Sequence, residues 1–180
     1  MSTLDINRPR RQTRVADTFA GSGNQMLHVE TDIAEFTATT PWSSQRPGAL
    51  VVCCSDGRWH TQVEEFIRTF VSDRPDLYVV PGGPAGLCVW SSSFDEAHVA
   101  ERSFRFLAEQ HQLQSVWLIV HEDCAYYRTK YHPHNQDFIV RRQLEDVKRA
   151  ADTIAQWYPQ IEVHRVFAQR QDDRVVFSTL

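Results

Sequence analysis

The chain has 180 residues, 42% of them hydrophobic and 23% charged, with a formal net charge of −4. That length suits one domain with a substantial core. The mildly acidic balance speaks against a nucleic-acid partner, and no run approaches the eighteen apolar residues of a membrane span.

Residues 1–24 begin MSTLDINRPRRQTR, a polar stretch with Arg8, Arg10, Arg11 and Arg14. It lacks the apolar core of a secretory leader and reads as a flexible N-terminal arm. Residues 25–180 then form a single domain. Within 25–45 a short helix and a turn at Thr40-Pro41 are expected. Ala49–Cys54 is a continuous apolar run, the mark of a strand buried on both faces. Trp59, Val63, Phe66, Ile67 and Phe70 follow at helical spacing over 58–70. A short strand over 77–80 ends at Pro81-Gly82-Gly83-Pro84. Ser93, with Glu96 three residues on, makes a capping box and opens a helix to about His111. Ser115–Val120 reads as another buried strand. Val140, Leu144, Val147, Ala151, Ile154 and Trp157 form a helical stripe stopped by Pro159. Strands over 161–167 and 175–177 complete the pattern.

Strands alternating with helices imply an α/β fold: a central, mostly parallel β-sheet of four to five strands flanked by helices. Ligands in such folds sit beyond the carboxyl ends of the strands, where the winding reverses. Two strand tips carry chemistry there, VVCCSDGR (51–58) and VHEDC (120–124). The chain has four cysteines: Cys53, Cys54, Cys88 and Cys124. In a reducing, cytoplasmic setting such thiols serve metals or catalysis more often than disulfides. Cys54, His121 and Cys124 can converge on one cation, and two thiolates with one imidazole suit tetrahedral zinc with an open fourth position. Asp56 lies two residues beyond Cys54, and Arg58 is spaced to clamp it as a bidentate, ionised partner. Cys53 points to the opposite strand face and reads as core, as does Cys88. Trp42, Trp59, Trp90, Tyr126 and Tyr127 read as core or interface. His132 and His134 read as surface histidines that are also placed to carry a proton.

These residues resemble the β-class carbonic anhydrases. The family's Cys-x-Asp-x-Arg and His-x-x-Cys motifs match Cys54-Ser55-Asp56-Gly57-Arg58 and His121-Glu122-Asp123-Cys124. Ser103–Ala108 and the strand leading to His121 are similar to the family's Ser-Leu-Glu-Tyr-Ala helix and following strand. The likeness covers roughly residues 48–165. It implies one Zn²⁺ per chain held by Cys54, His121 and Cys124, and Asp56 and Arg58 as a catalytic dyad. It also implies a homodimer or dimer of dimers, and reversible hydration of carbon dioxide with the nucleophilic hydroxide oriented by Asp56. The chain departs from the family around the site. Val120 and Ala125 stand where glycines are usual, Pro81–Gly86 replaces an Arg-Asn-Ala-Gly loop, and Tyr126–His132 is a segment foreign to the pattern. These departures leave a related small linear substrate, carbonyl sulfide or carbon disulfide, as the second reading.

Two further classes compete. Cys53 and Arg58 have the spacing of a rhodanese-type sulfurtransferase loop, but Asp56 would put a negative charge inside an anion cradle. A zinc-binding, non-catalytic module would keep the ligands and turn nothing over.

Overall fold

Ala49–Cys54 forms strand β1, and every side chain in it is buried. A wholly apolar run of this kind is stable only where both faces of the sheet are covered. A computed structural model describes residues 37–72, 74–90 and 92–180 of the chain. The N-terminal arm and most of the helical segment expected in 25–45 lie outside the described residues. A bend at Thr39 and Thr40 precedes Pro41.

After β1 come α1 (His60–Phe70), β2 (Asp76–Val80), a 3₁₀ turn (Gly83–Leu87), α2 (Phe94–His111) and β3 (Ser115–His121). The chain continues through α3 (Ala125–Lys130), α4 (Gln136–Trp157), β4 (Glu162–Gln171) and β5 (Arg174–Thr179). The sheet order is β2-β1-β3-β4-β5. β1 pairs in parallel with β2 and β3, and β3 with β4, while β5 returns antiparallel to β4. From β1 the chain moves outward to β2, then back across to β3. The winding therefore reverses between β1 and β3, and their carboxyl ends flank the crevice where α/β sheets bind ligands.

Each face of the sheet has its own core. On one, Leu50, Val52, Val116, Leu118 and Val120 pack against Phe104 of α2 and Val147 and Ile154 of α4. On the other, Val51, Cys53 and Ile119 pack against Trp59, Val63 and Ile67 of α1 and its entry. With 11 residues, α1 is too short to persist alone. Burial of its apolar side chains, at about 1.5–3 kcal/mol for each one fully covered, holds it in place.

Three features differ from the sequence expectation. The stripe on α4 holds at Val147, Ala151 and Ile154, but in its first half Ile139, Gln143 and Asp146 are buried. The start of α4 packs beside Tyr127 of α3, which turns a different face inward than the period alone implies. The other two are the 3₁₀ turn and α3, neither of which was anticipated. Elements of five and six residues are too short to leave a periodic signature.

Candidate metal centre

Cys54 ends β1, His121 ends β3, and Cys124 caps the start of α3. The pairing of β1 with β3 brings together tips that are almost seventy positions apart in the chain. The Sγ atoms of Cys54 and Cys124 are 3.8 Å apart. With the His121 ring, their ligand atoms all lie within 4.8 Å of one another. Cys54, His121 and Cys124 are all buried.

The imidazole is oriented from behind. His121 Nδ1 lies 2.7 Å from the carbonyl oxygen of Glu122. A carbonyl only accepts, so Nδ1 carries the hydrogen and Nε2 presents its lone pair. That Nε2 is buried without a hydrogen-bond partner, which makes it available to a cation. Trp59 lies against the ring, with centroids 4.8 Å apart. Glu122 anchors the strand tip, its N–H donating to the Ala168 carbonyl at 2.8 Å and its carboxylate accepting from the Arg170 N–H at 2.9 Å.

Hydrogen bonding from Cys124, aided by the backbone N–H groups of Gly82 and Asp56, draws the Cys54 thiol down to about 4 against the effect of burial. Facing that thiolate, and buried, Cys124 is pushed up, while the N–H groups of Tyr127 and Tyr126 act in the opposite sense. The nearby backbone N–H groups favour the charged form of each sulfur. Close packing of the Pro81–Pro84 loop supports it. Gly83 has φ +54°, and a Cβ there would lie 2.9 Å from the Cys53 carbonyl carbon and the Cys54 nitrogen. Only glycine lets that loop lie against the β1 tip.

Asp56 and Arg58 meet as the spacing implied. Arg58 Nε donates to Oδ1 at 3.0 Å and Nη2 to Oδ2 at 2.6 Å. Hydrogen bonding from Arg58 holds the Asp56 carboxyl at about 2. A partner the sequence reading missed is Asp123, in a left-handed conformation at φ 55°. Arg58 Nη1 donates to its Oδ2 and Nη2 to its backbone carbonyl, each at 3.2 Å. Arg58 thus ties the β1 tip to the loop between His121 and Cys124. A cavity of about 380 Å³ opens over the cluster, lined by Cys54, Asp56, Arg58, Pro81, Tyr126 and Arg128 among others.

The remaining candidates fall elsewhere. Cys53 packs in the α1 core, and burial raises its thiol to about 11. Cys88 is buried, with its thiol 3.8 Å from Asp146 Oδ1. All four cysteines are free. His132 and His134 are exposed, and the His134 ring stacks on Phe138 at 4.1 Å. Trp59 and Tyr127 are core, whereas Trp42 and Trp90 are exposed. Among the described residues, no helix is long and apolar enough to cross a membrane.

A mostly parallel α/β sheet with two thiols and an imidazole converging at its switch point defines an α/β protein with a centre able to hold a metal ion. A family model described as "Putative carbonic anhydrase" matches residues 44–176. The chain belongs to that family, and its resemblance to the β-class carbonic anhydrases is borne out at that level. Similar solved structures include β-carbonic anhydrase isoform I from Trichomonas vaginalis, at 12% identity over 80% of this chain and 87% of that one, TM-score 0.49. The β-carbonic anhydrase CafD of Aspergillus fumigatus matches at 12% identity over 79% and 94%, TM-score 0.48. A carbonic anhydrase from Streptococcus mutans matches at 16% over 79% and 87%, TM-score 0.46. No curated protein matches the chain.

Proposed function

We propose that the chain holds one zinc ion through Cys54, His121 and Cys124 and catalyses the reversible hydration of carbon dioxide, as a lyase of carbonic anhydrase type. The geometry of the three donors carries this reading. Two thiolates about 2.3 Å from a tetrahedral ion stand about 3.8 Å apart, which matches the 3.8 Å between the two sulfurs. The unpartnered His121 Nε2 supplies a third donor, and three protein donors leave a fourth position for chemistry. When bound there, zinc supplies a Lewis acid that acidifies water at neutral pH.

The chain's own residues do the rest. Asp56 is ionised, so it accepts hydrogen bonds and donates none. It accepts a hydrogen bond from a hydroxyl in the cavity and so aims that oxygen's lone pair outward. Arg58 holds Asp56 through two donors and cannot itself lose a proton, so the acceptor keeps one orientation. Pro81, Ala125 and Tyr126 give the cavity an apolar wall suited to a small neutral linear molecule. The same wall accommodates carbonyl sulfide or carbon disulfide, and hydrolysis of one of these is the second reading. Four free, buried thiols fit a reducing compartment such as the cytoplasm.

Stopped-flow hydration of carbon dioxide by zinc-loaded protein tests the reading. Asp56→Ala should keep its zinc and lose about a hundredfold or more in turnover. A zinc-loaded wild type with no rate above background would sink the anhydrase reading and favour the sulfur substrates.

A further inference from the structure

Beyond Tyr126 and Tyr127, the segment Tyr126–His132 brings a second guanidinium to the cavity, that of Arg128. Arg128 is one turn beyond Cys124, its N–H donating to the Cys124 carbonyl at 3.0 Å. Its side chain is about half exposed (53%) and lines the cavity with Cys54, Asp56 and Arg58. Asp123 joins the two arginines. Its Oδ1 accepts from Arg128 Nη1 at 2.7 Å, and its Oδ2 from Arg58 Nη1 at 3.2 Å.

The two guanidiniums are not equivalent. Arg58 commits Nε and Nη2 to Asp56, and Nη1 with Nη2 to Asp123. Arg128 commits only Nη1 among the described residues, which leaves Nε and Nη2 with hydrogens to donate. The charges on the rim cancel in pairs, Asp56 with Arg58 and Asp123 with Arg128. A small oxyanion entering beside Asp56 would be repelled by that carboxylate, and the one uncommitted fork of donors on the rim is that of Arg128. A neutral linear molecule gains nothing from it.

We propose that Arg128 receives the anionic partner of the reaction, a small planar oxyanion of the bicarbonate or carboxylate type, and that Asp123 is the positioning residue that turns its guanidinium toward the cavity. The inference rests on the zinc-centred reading above but concerns binding, so it can be tested without turnover. Zinc-loaded wild type, Arg128→Ala, Arg128→Gln and Arg128→Lys would each be titrated calorimetrically with bicarbonate and, separately, with acetate. Metal content and melting temperature would be followed in parallel.

Arg128→Ala and Arg128→Gln should weaken both anions about tenfold, with metal content and melting temperature unchanged. Arg128→Lys should recover only part of the affinity for either anion, since it keeps the charge but not the two-donor fork. Binding within about twofold of wild type in either Arg128→Gln or Arg128→Ala overturns the proposal. If carbon dioxide turnover fails while anion binding still depends on Arg128, the hydration reading falls and this inference stands. If turnover is normal and the anions bind the variants unchanged, only the inference falls.

Discussion

Cys124 serves two structures at once. Its thiol faces Cys54 across 3.8 Å, and its carbonyl accepts the N–H of Arg128 that opens α3. A serine there keeps the backbone role but replaces a soft, ionisable sulfur with a hydroxyl that stays protonated at neutral pH. Cys124→Ser should therefore fold yet lose zinc on dialysis against a mild chelator, measured as metal per chain. Cys88→Ser, whose thiol faces Asp146 rather than the cluster, should retain it. Zinc retained at full stoichiometry in Cys124→Ser would remove Cys124 from the ligand set. At this scale the ligand spacing was legible: Cys54 and Asp56 on one tip, and His121 and Cys124 on the other, are local patterns with local chemical meaning. Asp123 was not legible as the second partner of Arg58, because nothing short of the folded sheet brings positions 58 and 123 within 3.2 Å.

Helix α2 depends on a complete capping box. Ser93 Oγ accepts from the Glu96 N–H at 3.2 Å, and Glu96 Oε2 accepts from the Ser93 N–H at 2.8 Å. That backbone donor is the main cause of the lowered Glu96 carboxyl. A depressed carboxylate stabilises the fold above its unfolded pKa of about 4.3, and the contribution is lost as pH falls through the lower folded value. Ser93→Ala should cost about 1 kcal/mol at neutral pH in urea denaturation. Glu96→Gln should cost less than Ser93→Ala, and its difference from wild type should fade as pH falls below about 4. A gap between wild type and Glu96→Gln that persisted at acid pH would contradict the ionised cap. Glu96 and Tyr126 line one pocket, and Tyr126 also forms part of the wall of the site cavity, so this cap lies next to the mouth of the site. The capping box was readable because its two halves are three residues apart. The six-residue α3 was not, since it is held by the burial of Tyr127 rather than by any period of its own.

Within the unit Ser43–Leu180 the sheet ends at β2 on one side and at β5 on the other. Along outer strand β2, Leu77 and Val79 are exposed, and Val89, Trp90, Phe94 and Val99 are exposed on the segment that follows. A strand edge flanked by large exposed apolar side chains invites a partner. We propose that a second copy of the chain covers it, giving a homodimer. Val79→Lys combined with Trp90→Ser should shift the molar mass measured by light scattering from dimer toward monomer. A wild type that stays monomeric at tens of micromolar would remove the proposal.

The alternation of strands and helices, the burial of β1 and β3 on both faces, and the two motif-bearing tips are all written in short-range pattern. Side-chain period and residue spacing follow from backbone geometry within an element, so they survive as string. The order in which strands pair carries no such local trace. Pairing of β1 with β3 turned two motifs into one cluster of three donors, and it brought Asp123 between Arg58 and Arg128. It also set α3 against the start of α4, burying Gln143 and Asp146 where the stripe called for Val140 and Leu144. Contacts between residues many positions apart are decided by the packing of whole elements, and only the folded chain displays them.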